Sequence, residues 1–422
     1  MLTQIEGSRA VAQAVAACRP QVVCAYPITP QTHIVEALGA MVKAGQLERC
    51  AFVNVESEFS AMSVAIGASA AGSRAYTATA SQGLLFMIEA VYNAGGLGLP
   101  IVMTLANRAI GAPINIWNDH SDAMAVRDSG WIQLFAETNQ EAADLHVQAF
   151  RLAEEVSLPV MVCMDGFLLT HATERVDVPE PGQVDAFLPP FEPRQVLDPA
   201  EPVSIGAMVG PDAFTEVRYL AHARQLRALE RIEEVAAAFT GVFGRRSGGL
   251  VSPYRAEDAD VVLVAMGSII GTAKDAVDEL RRAGLRAGIV GITSFRPFPL
   301  DAVHDAIGEA RRVVVVEKAF SAGFGGVLST DVGLAIDDAK RRVATVVAGL
   351  GGRPVTERAI ASVVEDAAAG RLERLRFLDL DRAAVERELS RMGRARRSGP
   401  SAENLVRDLA AARRAGAVVG RG

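Results

Sequence analysis

Short apolar runs alternate with longer helical patterns along most of the chain, and this alternation restricts the fold more than any other feature of the sequence. Each run is only four to six residues long, so it is too short for a helix and too apolar for a loop. Apolar runs of this length are typical of strands buried in a parallel sheet. The predicted strands of the first half are Val22–Ala25, Phe52–Val55, Ala75–Ala80, Ile101–Leu105 and Val160–Met164.

Helical patterns lie between these strands, which predicts an α/β fold with a mainly parallel sheet and helices on both faces. The helices are Thr32–Ala44, Phe59–Ala71, Leu84–Ala94 and Glu141–Glu155. A second α/β unit follows at Val261–Ala265, Gly288–Ile292, Val313–Val316 and Val343–Val347.

The segment between the two units differs in composition from both. Val178–Pro202 is proline-rich and is interpreted as a strap over the surface, and Ala213–Phe239 is interpreted as a helical arm. Gly244–Asp260 is glycine- and charge-rich and is interpreted as a second boundary. We therefore expect a first domain over 1–245, a second α/β domain over 258–380 and a charged tail over 381–422.

Composition excludes several classes of function. The formal net charge of −7 argues against a nucleic-acid-binding protein, which needs a basic surface. No apolar run reaches the roughly 18 residues of a membrane span, and no signal peptide is recognised, so we expect a cytoplasmic chain. The four cysteines contain no CxxC pair, which argues against an iron–sulfur cluster or structural zinc held by this chain alone. Cys24 and Cys163 are predicted to be inert core thiols.

A stiff turn, Tyr26-Pro27-Ile28-Thr29-Pro30, follows the first predicted strand. Its two prolines fix the backbone, and ligands of open α/β sheets bind beyond the carboxyl ends of strands. This interpretation makes the Thr29 hydroxyl a candidate ligand contact. The alternative is a simple strand-to-helix connection in which Thr29 or Thr32 caps the helix.

Glu58 is the main candidate for acid–base chemistry because it lies where the second predicted strand gives way to a helix of small residues. A carboxylate there could exchange a proton with a ring nitrogen of a ligand. In the alternative interpretation Ser57 caps the helix and Glu58 only complements its dipole. Glu56 is a second candidate, and the sequence does not separate it from Glu58.

Arg108 follows the strand Ile101–Leu105 and therefore lies at the same predicted sheet edge. A guanidinium can hold a small carboxylate through two parallel hydrogen bonds, although a plain surface arginine is the alternative. Ser81-Gln82-Gly83 and the polar loop Asn115–Asp122 are expected at this edge too.

The other motifs do not indicate a specific chemistry. Asp119, His120 and Asp122 match no familiar metal-binding spacing, and no serine lies in a GxSxG motif. The turns Gly267-Ser268 and Gly323–Gly326 lack a dinucleotide or NTP fingerprint, so each is a tight turn or, less favoured, a phosphate site at a helix N-terminus. The basic cluster Arg391–Arg397 is interpreted as part of a solvated helix or a subunit-docking arm.

Taken together, the ordered motifs resemble the alpha subunit of 2-oxoacid:ferredoxin oxidoreductases, most closely the pyruvate enzymes. The motifs are Tyr26–Pro30, Glu56–Glu58, Thr79–Gly83, Asn107–Ala109, Asn115–Asp122, Arg127–Gly130, Asp165–Phe167, Ser294–Pro299 and Val316–Lys318. The resemblance implies a pyrimidine-type transketolase domain that binds thiamine diphosphate, followed by a transketolase C-terminal-like domain. It also implies decarboxylation of a 2-oxoacid, transfer of the acyl group to coenzyme A, and electron transfer to ferredoxin or flavodoxin.

The resemblance further assigns roles to residues and to partner chains. Glu58 would hydrogen-bond the aminopyrimidine ring and promote its imino tautomer, while Thr29 and Arg108 would contact the substrate, Arg108 at its carboxylate. Ser81, Gln82 and Gly83, with Thr29 and Glu58, would contact the cofactor. The GDG…N motif for Mg²⁺ and diphosphate is absent. Hence a beta subunit would share the thiamine and hold Mg²⁺, and gamma and delta subunits would complete a complex whose [4Fe-4S] clusters lie outside this chain.

Two alternatives to the pyruvate enzyme stay open. A branched-chain 2-oxoacid such as 2-oxoisovalerate would use the same machinery, because a methylene or two changes binding by only ~1–3 kcal/mol. A non-catalytic transketolase-like scaffold is the other. The presence of both Glu58 and Arg108 at strand ends argues against a scaffold, since folding requires neither.

Overall fold

A computed structural model of the chain describes residues 2–336, 341–392 and 399–419. The chain divides into two compact units, Met1–Arg376 and Phe377–Gly422. The larger unit contains both predicted α/β parts. The predicted limits 1–245, 258–380 and 381–422 remain predictions, because the two α/β parts are not separated as compact units.

The strands account for the sheets of the larger unit. They are β1 Leu2–Glu6, β2 Val22–Ala25, β3 Ala51–Asn54, β4 Ala75–Thr79, β5 Ile101–Asn107, β6 Ile132–Phe135, β7 Val160–Asp165, β8 Thr173–Asp177, β9 Val251–Tyr254, β10 Val261–Ala265, β11 Ala287–Ile292, β12 Ser294–Arg296, β13 Arg312–Glu317, β14 Arg342–Val347 and β15 Leu375–Phe377.

Helices connect most of the strands. They are α1 Gly7–Ala17, α2 Thr32–Lys43, α3 Glu58–Ala70, α4 Ser81–Phe86, α5 Ile88–Leu97, α6 Ser121–Ala125, α7 Asn139–Val156, α8 Pro181–Phe187, α9 Pro211–Phe243, α10 Ile269–Arg282, α11 Leu300–Ile307, α12 Leu328–Ile336, α13 Glu357–Ala368, α14 Arg382–Met392 and α15 Ser401–Val419, with a 3-10 turn at Leu350–Gly352.

The first sheet has seven strands in the order β12-β6-β7-β5-β4-β2-β3. All neighbouring pairs are parallel except β12, which pairs antiparallel with β6 through Ser294 and Leu134. The second sheet has the order β15-β14-β13-β10-β11-β9, and β9 runs antiparallel to β11. The predicted parallel α/β architecture is therefore present in both halves of the larger unit.

One apolar core joins the two sheets. Met103 and Phe135 of the first sheet share a buried cluster with Val262 and Val290 of the second, and with Phe295 on β12. The rings of Phe135 and Phe295 meet edge to face at 6.1 Å. Because β12 comes from the second half of the sequence but completes the first sheet, the two halves share both backbone pairing and side-chain packing.

Several boundaries differ from the sequence-based expectation. The helix expected over Leu84–Ala94 is two helices, α4 and α5, because Met87 leaves the helical conformation at φ −94° and ψ 9°. The interval Gly244–Asp260 contains strand β9, because its residues Val251–Tyr254 pair with β11. The short strands β6 and β12 were not expected.

The smaller unit contains the two helices α14 and α15, and Arg391 of one forms an ion pair with Asp408 of the other. Of the predicted basic cluster Arg391–Arg397, residues 393–397 lie outside the described residues. Among the helices of the described residues, none has the length and apolar character that crossing a membrane requires.

Candidate active site

The predicted site residues lie at one edge of the first sheet. β3, β2, β4, β5 and β7 are consecutive neighbours and parallel, so their carboxyl ends share that edge. The segments that follow these strands carry Glu58, Thr29, Ser81–Gly83, Arg108 and Asp165. In an open α/β sheet this is the edge at which ligands bind.

The Arg108 side chain contacts Thr29 directly, at its backbone carbonyl in the Tyr26–Pro30 turn. Arg108 Nη1 donates a hydrogen bond to the Thr29 carbonyl oxygen at 2.8 Å, and its Nε donates to the Asn115 carbonyl oxygen at 3.1 Å. Arg108 is 6% exposed, whereas Thr29 is exposed. Two of the five guanidinium N–H groups therefore bond to the surrounding loops. The other three, one on Nη1 and two on Nη2, can still donate to a carboxylate.

Burial also affects the electrostatics of Arg108. Desolvation lowers the pKa of its guanidinium from the ordinary value, and the nearby Asp122 carboxylate opposes this change. An arginine stays protonated under such perturbations, so the site offers a fixed, partly desolvated positive charge. Such a charge binds an anion more strongly than a solvated one.

Glu58 is the first residue of α3 and is 7% exposed. No group of the described residues forms a hydrogen bond with its carboxylate. A Cβ on Gly83 would lie 2.8 Å from Glu58 Oε1 and 2.5 Å from Thr79 Oγ1, and the Thr79 hydroxyl is buried without a partner. Glu58, Thr79 and Gly83 thus form a close-packed corner in which the Glu58 carboxylate and the Thr79 hydroxyl have no hydrogen-bond partner among the described residues.

The structure separates Glu58 from Glu56. Both follow the end of β3 at Asn54, so the alternation expected of a strand does not apply to them. Glu56 is exposed and accepts a hydrogen bond from the Ser60 hydroxyl, while Ser57 caps α3 by accepting a hydrogen bond from the Ser60 amide at 3.2 Å. Only Glu58 points its carboxylate toward Gly83.

Ser81 joins the two parts of the site. Its φ of 47° lies in the left-handed region that few residues other than glycine adopt. Two hydrogen bonds hold it there: its amide donates to Asp122 Oδ2 at 3.0 Å, and its hydroxyl donates to the Ala109 carbonyl oxygen at 2.5 Å. The neighbouring Gln82 Oε1 is a second acceptor within reach of the same hydroxyl proton.

Asp122 is the buried centre of this network. In the sequence it is prominent only as a member of a polar loop and of a metal set that matches no familiar spacing. Its Oδ2 accepts hydrogen bonds from the Ser81 and Arg108 amides at 3.0 and 2.9 Å. Its Oδ1 accepts from Asn107 Nδ2 and the Ala123 amide, both at 2.8 Å. One carboxylate therefore fixes the ends of β4 and β5 relative to each other.

Replacing Asp122 by Asn should change how stability depends on pH. Burial raises the pKa of Asp122 from 3.8 to about 6, so its contribution to folding is greatest below the ordinary value and is lost as pH rises through about 6. Relative to Asp122→Asn, the wild-type free energy of unfolding should fall by roughly 3 kcal/mol between pH 4 and pH 7. Denaturant unfolding across this range measures the difference.

The exposed Asp128→Asn variant is the control for losing a carboxylate that has no such network. A difference between wild type and Asp122→Asn that stays constant, or grows with pH, would contradict the role given to burial.

A second buried network joins the first sheet to the second. Asp165, at the end of β7, accepts hydrogen bonds from Lys318 Nζ at 2.6 Å, the Ser268 amide at 3.0 Å and the Ser268 hydroxyl, and it pairs with His120 Nε2 at 2.7 Å. Burial opposes its ionisation, but Lys318 and His120 hold the pKa of Asp165 well below its usual range. Asp165 is thus an internal counter-ion with its lone pairs engaged.

The two glycine turns of the second half are occupied by carboxylates of the protein. Asp165 accepts from the Ser268 amide at the start of α10, and Glu317 accepts from the Val327 and Leu328 amides at the start of α12, both at 2.8 Å. A Cβ on Gly326 would clash with Glu317 Oε1. These are therefore closed structural turns, and the less favoured phosphate interpretation does not apply to them.

Two further residues of the Asn115–Asp122 loop accept hydrogen bonds from the second half. Asp119 Oδ2 accepts from the Gly351 amide at 3.2 Å, and the Asn118 carbonyl oxygen accepts from the Gly352 amide at 2.7 Å, while Asn118 Nδ2 is buried without a partner among the described residues. Cys24 and Cys163 are buried; burial raises the pKa of Cys24 to about 12 and that of Cys163 well above its usual range. These cysteines match the predicted inert thiols.

Two family models cover the larger part of the chain. One, described as pyruvate flavodoxin/ferredoxin oxidoreductase, thiamine diphosphate-binding, matches residues 13–237. The chain belongs to the pyruvate flavodoxin/ferredoxin oxidoreductase family. The second model, core domain II of pyruvate:ferredoxin oxidoreductase, matches residues 259–360.

Individual relatives of this family are similar over nearly their whole length. Pyruvate synthase subunit PorA of Methanosarcina barkeri is 48% identical over 385 residues, which cover 89% of this chain and 96% of that protein. Ketoisovalerate oxidoreductase subunit VorA of Pyrococcus horikoshii is 39% identical over 365 residues, covering 86% of this chain and 92% of that protein.

Solved structures share the fold. A 2-oxoglutarate:ferredoxin oxidoreductase from Magnetococcus marinus, with 2-oxoglutarate, coenzyme A and succinyl-CoA bound, aligns with a TM-score of 0.66 at 21% identity; the alignment covers 87% of this chain and 65% of that chain. An inactive beta4 tetramer of a split-gene transketolase aligns with a TM-score of 0.53 at 16% identity, covering 87% of this chain and 99% of that chain. The predicted family, the thiamine diphosphate-binding fold and the type of enzyme are confirmed.

Proposed function

We propose that this chain is the alpha subunit of a pyruvate:ferredoxin oxidoreductase, which oxidises pyruvate with coenzyme A to acetyl-CoA and CO2 and reduces ferredoxin or flavodoxin. The observation that carries the proposal is a buried, unpartnered Glu58 carboxylate at the ligand-binding edge of a thiamine diphosphate-binding domain. The high identity to pyruvate synthase subunits supports pyruvate as the substrate.

The residues of this chain fit the pyrimidine end of thiamine diphosphate. The cofactor, when bound, supplies the electron sink that decarboxylation of a 2-oxoacid requires. Glu58 would hold a proton at a ring nitrogen, because its carboxylate has no partner within the described residues, and only a glycine at position 83 avoids a clash with that carboxylate. Thr79 offers a second buried hydroxyl, and Ser81 and Gln82 form the adjoining wall.

Arg108 and Thr29 would bind the substrate. Arg108 uses Nε and one N–H of Nη1 on its two backbone acceptors, so the second N–H of Nη1 and both of Nη2 can hold a carboxylate through two hydrogen bonds. The exposed Thr29 hydroxyl lies on the same turn that accepts from Arg108. The two residues thus offer a charge for the carboxylate of pyruvate and a hydroxyl for a neighbouring oxygen.

The proposal places the rest of the machinery on other chains. Met164-Asp165-Gly166 is only a fragment of the GDG motif, and its Asp165 is engaged by Lys318, His120 and Ser268, so it is not available to Mg²⁺. Cys18, Cys24 and Cys163 are buried, and the four cysteines of the sequence contain no CxxC pair, which does not suit cluster ligation. A beta subunit would therefore hold Mg²⁺ and the diphosphate, and gamma and delta subunits would complete a complex in which partners carry the [4Fe-4S] clusters.

The assembled complex should prefer pyruvate, and the preference should depend on Arg108. With this chain co-expressed beside its partner subunits, we expect a higher kcat/KM for pyruvate than for 2-oxoisovalerate. Arg108→Ala should lower kcat/KM for pyruvate by about 30-fold or more, because a buried charge pair that loses one partner costs about 2–5 kcal/mol. Ferredoxin reduction across a panel of 2-oxoacids measures both.

Pyruvamide provides the matched control as a competitive inhibitor, since it has the same shape as pyruvate but no carboxylate to lose as CO2. Arg108→Ala should raise the inhibition constant of pyruvamide much less than it lowers kcat/KM for pyruvate. An equal loss on both compounds would assign Arg108 to loop structure alone. Preference for 2-oxoisovalerate would favour the branched-chain enzyme, and assembly without turnover on any 2-oxoacid would favour a scaffold.

A further inference from the structure

Glu6, His33 and His171 converge at a point that the proposed active site does not use. Glu6 ends β1, His33 lies in the first turn of α2, and His171 lies between β7 and β8. One candidate ligand atom from each of the three lies within 4.8 Å of the other two. The three residues are far apart in sequence, so the fold and not a local turn brings them together.

The side chains are already oriented toward one another. His33 Nδ1 lies 2.6 Å from Glu6 Oε1, and the rings of His33 and His171 lie 4.6 Å apart. Ligand atoms of a tetrahedral zinc ion lie roughly 3.3 Å apart, given zinc–nitrogen bonds of about 2.0–2.1 Å. Side-chain rotations that shift the ligand atoms by about an ångström would therefore bring all three groups to the bonding distance of a single metal ion.

His171 also has a supporting contact of the kind that metal-bound histidines make. Its Nδ1 lies 2.7 Å from Thr170 Oγ1, which accepts a hydrogen bond from the Phe167 amide at 2.8 Å. The tautomer that donates from Nδ1 to Thr170 leaves the Nε2 lone pair free.

We propose that Glu6, His33 and His171 bind one divalent transition-metal ion, with zinc as the preferred metal. Two imidazoles and one carboxylate are a common zinc ligand set, with water in the fourth position. The ion would join β1, the start of α2 and the segment after β7. Because α2 follows the turn that carries Thr29, the ion would stabilise the base of that turn.

Cobalt titration of the full chain tests the site. After metal removal, one equivalent of Co²⁺ should give the visible absorption of a four-coordinate complex, and Zn²⁺ should displace it. His33→Gln, His171→Gln and Glu6→Gln should each abolish this spectrum. Thr170→Val should weaken binding by about 10–100-fold, as loss of a supporting contact does. The exposed His222→Gln, on α9, should bind like wild type.

Three outcomes would overturn the site: no stoichiometric Co²⁺ spectrum in the wild type, unchanged binding in His33→Gln, or the intense near-ultraviolet band of thiolate ligation. His33 is exposed, so its substitution tests the proposal even if His171→Gln does not fold. Far-ultraviolet circular dichroism verifies that each variant keeps its secondary structure.

Discussion

Replacing Glu58 by Gln should lower pyruvate-dependent ferredoxin reduction by about 10²–10⁴-fold, the range associated with a lost acid–base group. Glutamine keeps the size and polarity of the side chain but cannot take up or release the proton that the proposed function needs at a ring nitrogen. The substitution is nearly isosteric in a corner already packed by Gly83 and Thr79. We therefore expect the complex to assemble normally.

The measurement is kcat and KM for ferredoxin reduction by the purified complex, together with its subunit composition by size-exclusion chromatography. Glu56→Gln is the matched control, because Glu56 lies two residues away but is exposed and bonded to Ser60. Near-normal turnover in Glu58→Gln would remove Glu58 from the mechanism. A loss of assembly would make its role structural.

Local sequence patterns were sufficient to predict the strands whose ends carry the candidate site residues. β2 and β10 have the predicted bounds, and β3, β4, β5 and β7 differ from prediction by a residue or two. These strands are buried, and their apolar runs stop where the chain turns. Since parallel strands end at one edge, the proximity of Thr29 and Arg108 followed from the alternation of strands and helices.

Long-range pairing accounts for what the sequence could not reveal. β12 is three residues long and pairs with β6, although more than 150 residues separate the two strands in the sequence. Asp122 is one of several acidic residues in a polar loop, and only the fold shows that the Ser81 and Arg108 amides converge on it. Helical periodicity likewise did not predict the break at Met87, where α4 ends and α5 begins.

For the same reason the sequence did not reveal that Asp165 pairs with Lys318. Loss of this ion pair should destabilise the protein substantially. Lys318 is 4% exposed, and its Nζ donates to Asp165 Oδ2 at 2.6 Å and to Ser268 Oγ at 3.1 Å. Lys318→Met keeps an unbranched side chain of similar length but leaves the carboxylate short of a partner. We expect the free energy of unfolding to fall by about 3–5 kcal/mol, as when a buried ion pair loses one member.

The pH dependence of this loss follows from the sign of the Asp165 perturbation. Its pKa lies well below the usual range, so the carboxylate contributes stability above the ordinary value of 3.8, and this contribution is lost as pH falls through the lower folded value. Lys318→Met removes much of the cause of that low pKa. The deficit of the variant should therefore be largest near neutral pH and smaller in acid.

Denaturant unfolding of the full chain at several pH values measures the deficit, with Arg286→Met as the control. Arg286 pairs with Asp260 at 2.7 Å, but both side chains are at least half exposed, so solvent screens the pair and its loss should change stability little. Equal effects of the two substitutions would mean that Lys318 contributes no more than a surface charge. Adding Asp165→Asn to Lys318→Met should recover part of the loss, because the uncompensated carboxylate is then gone.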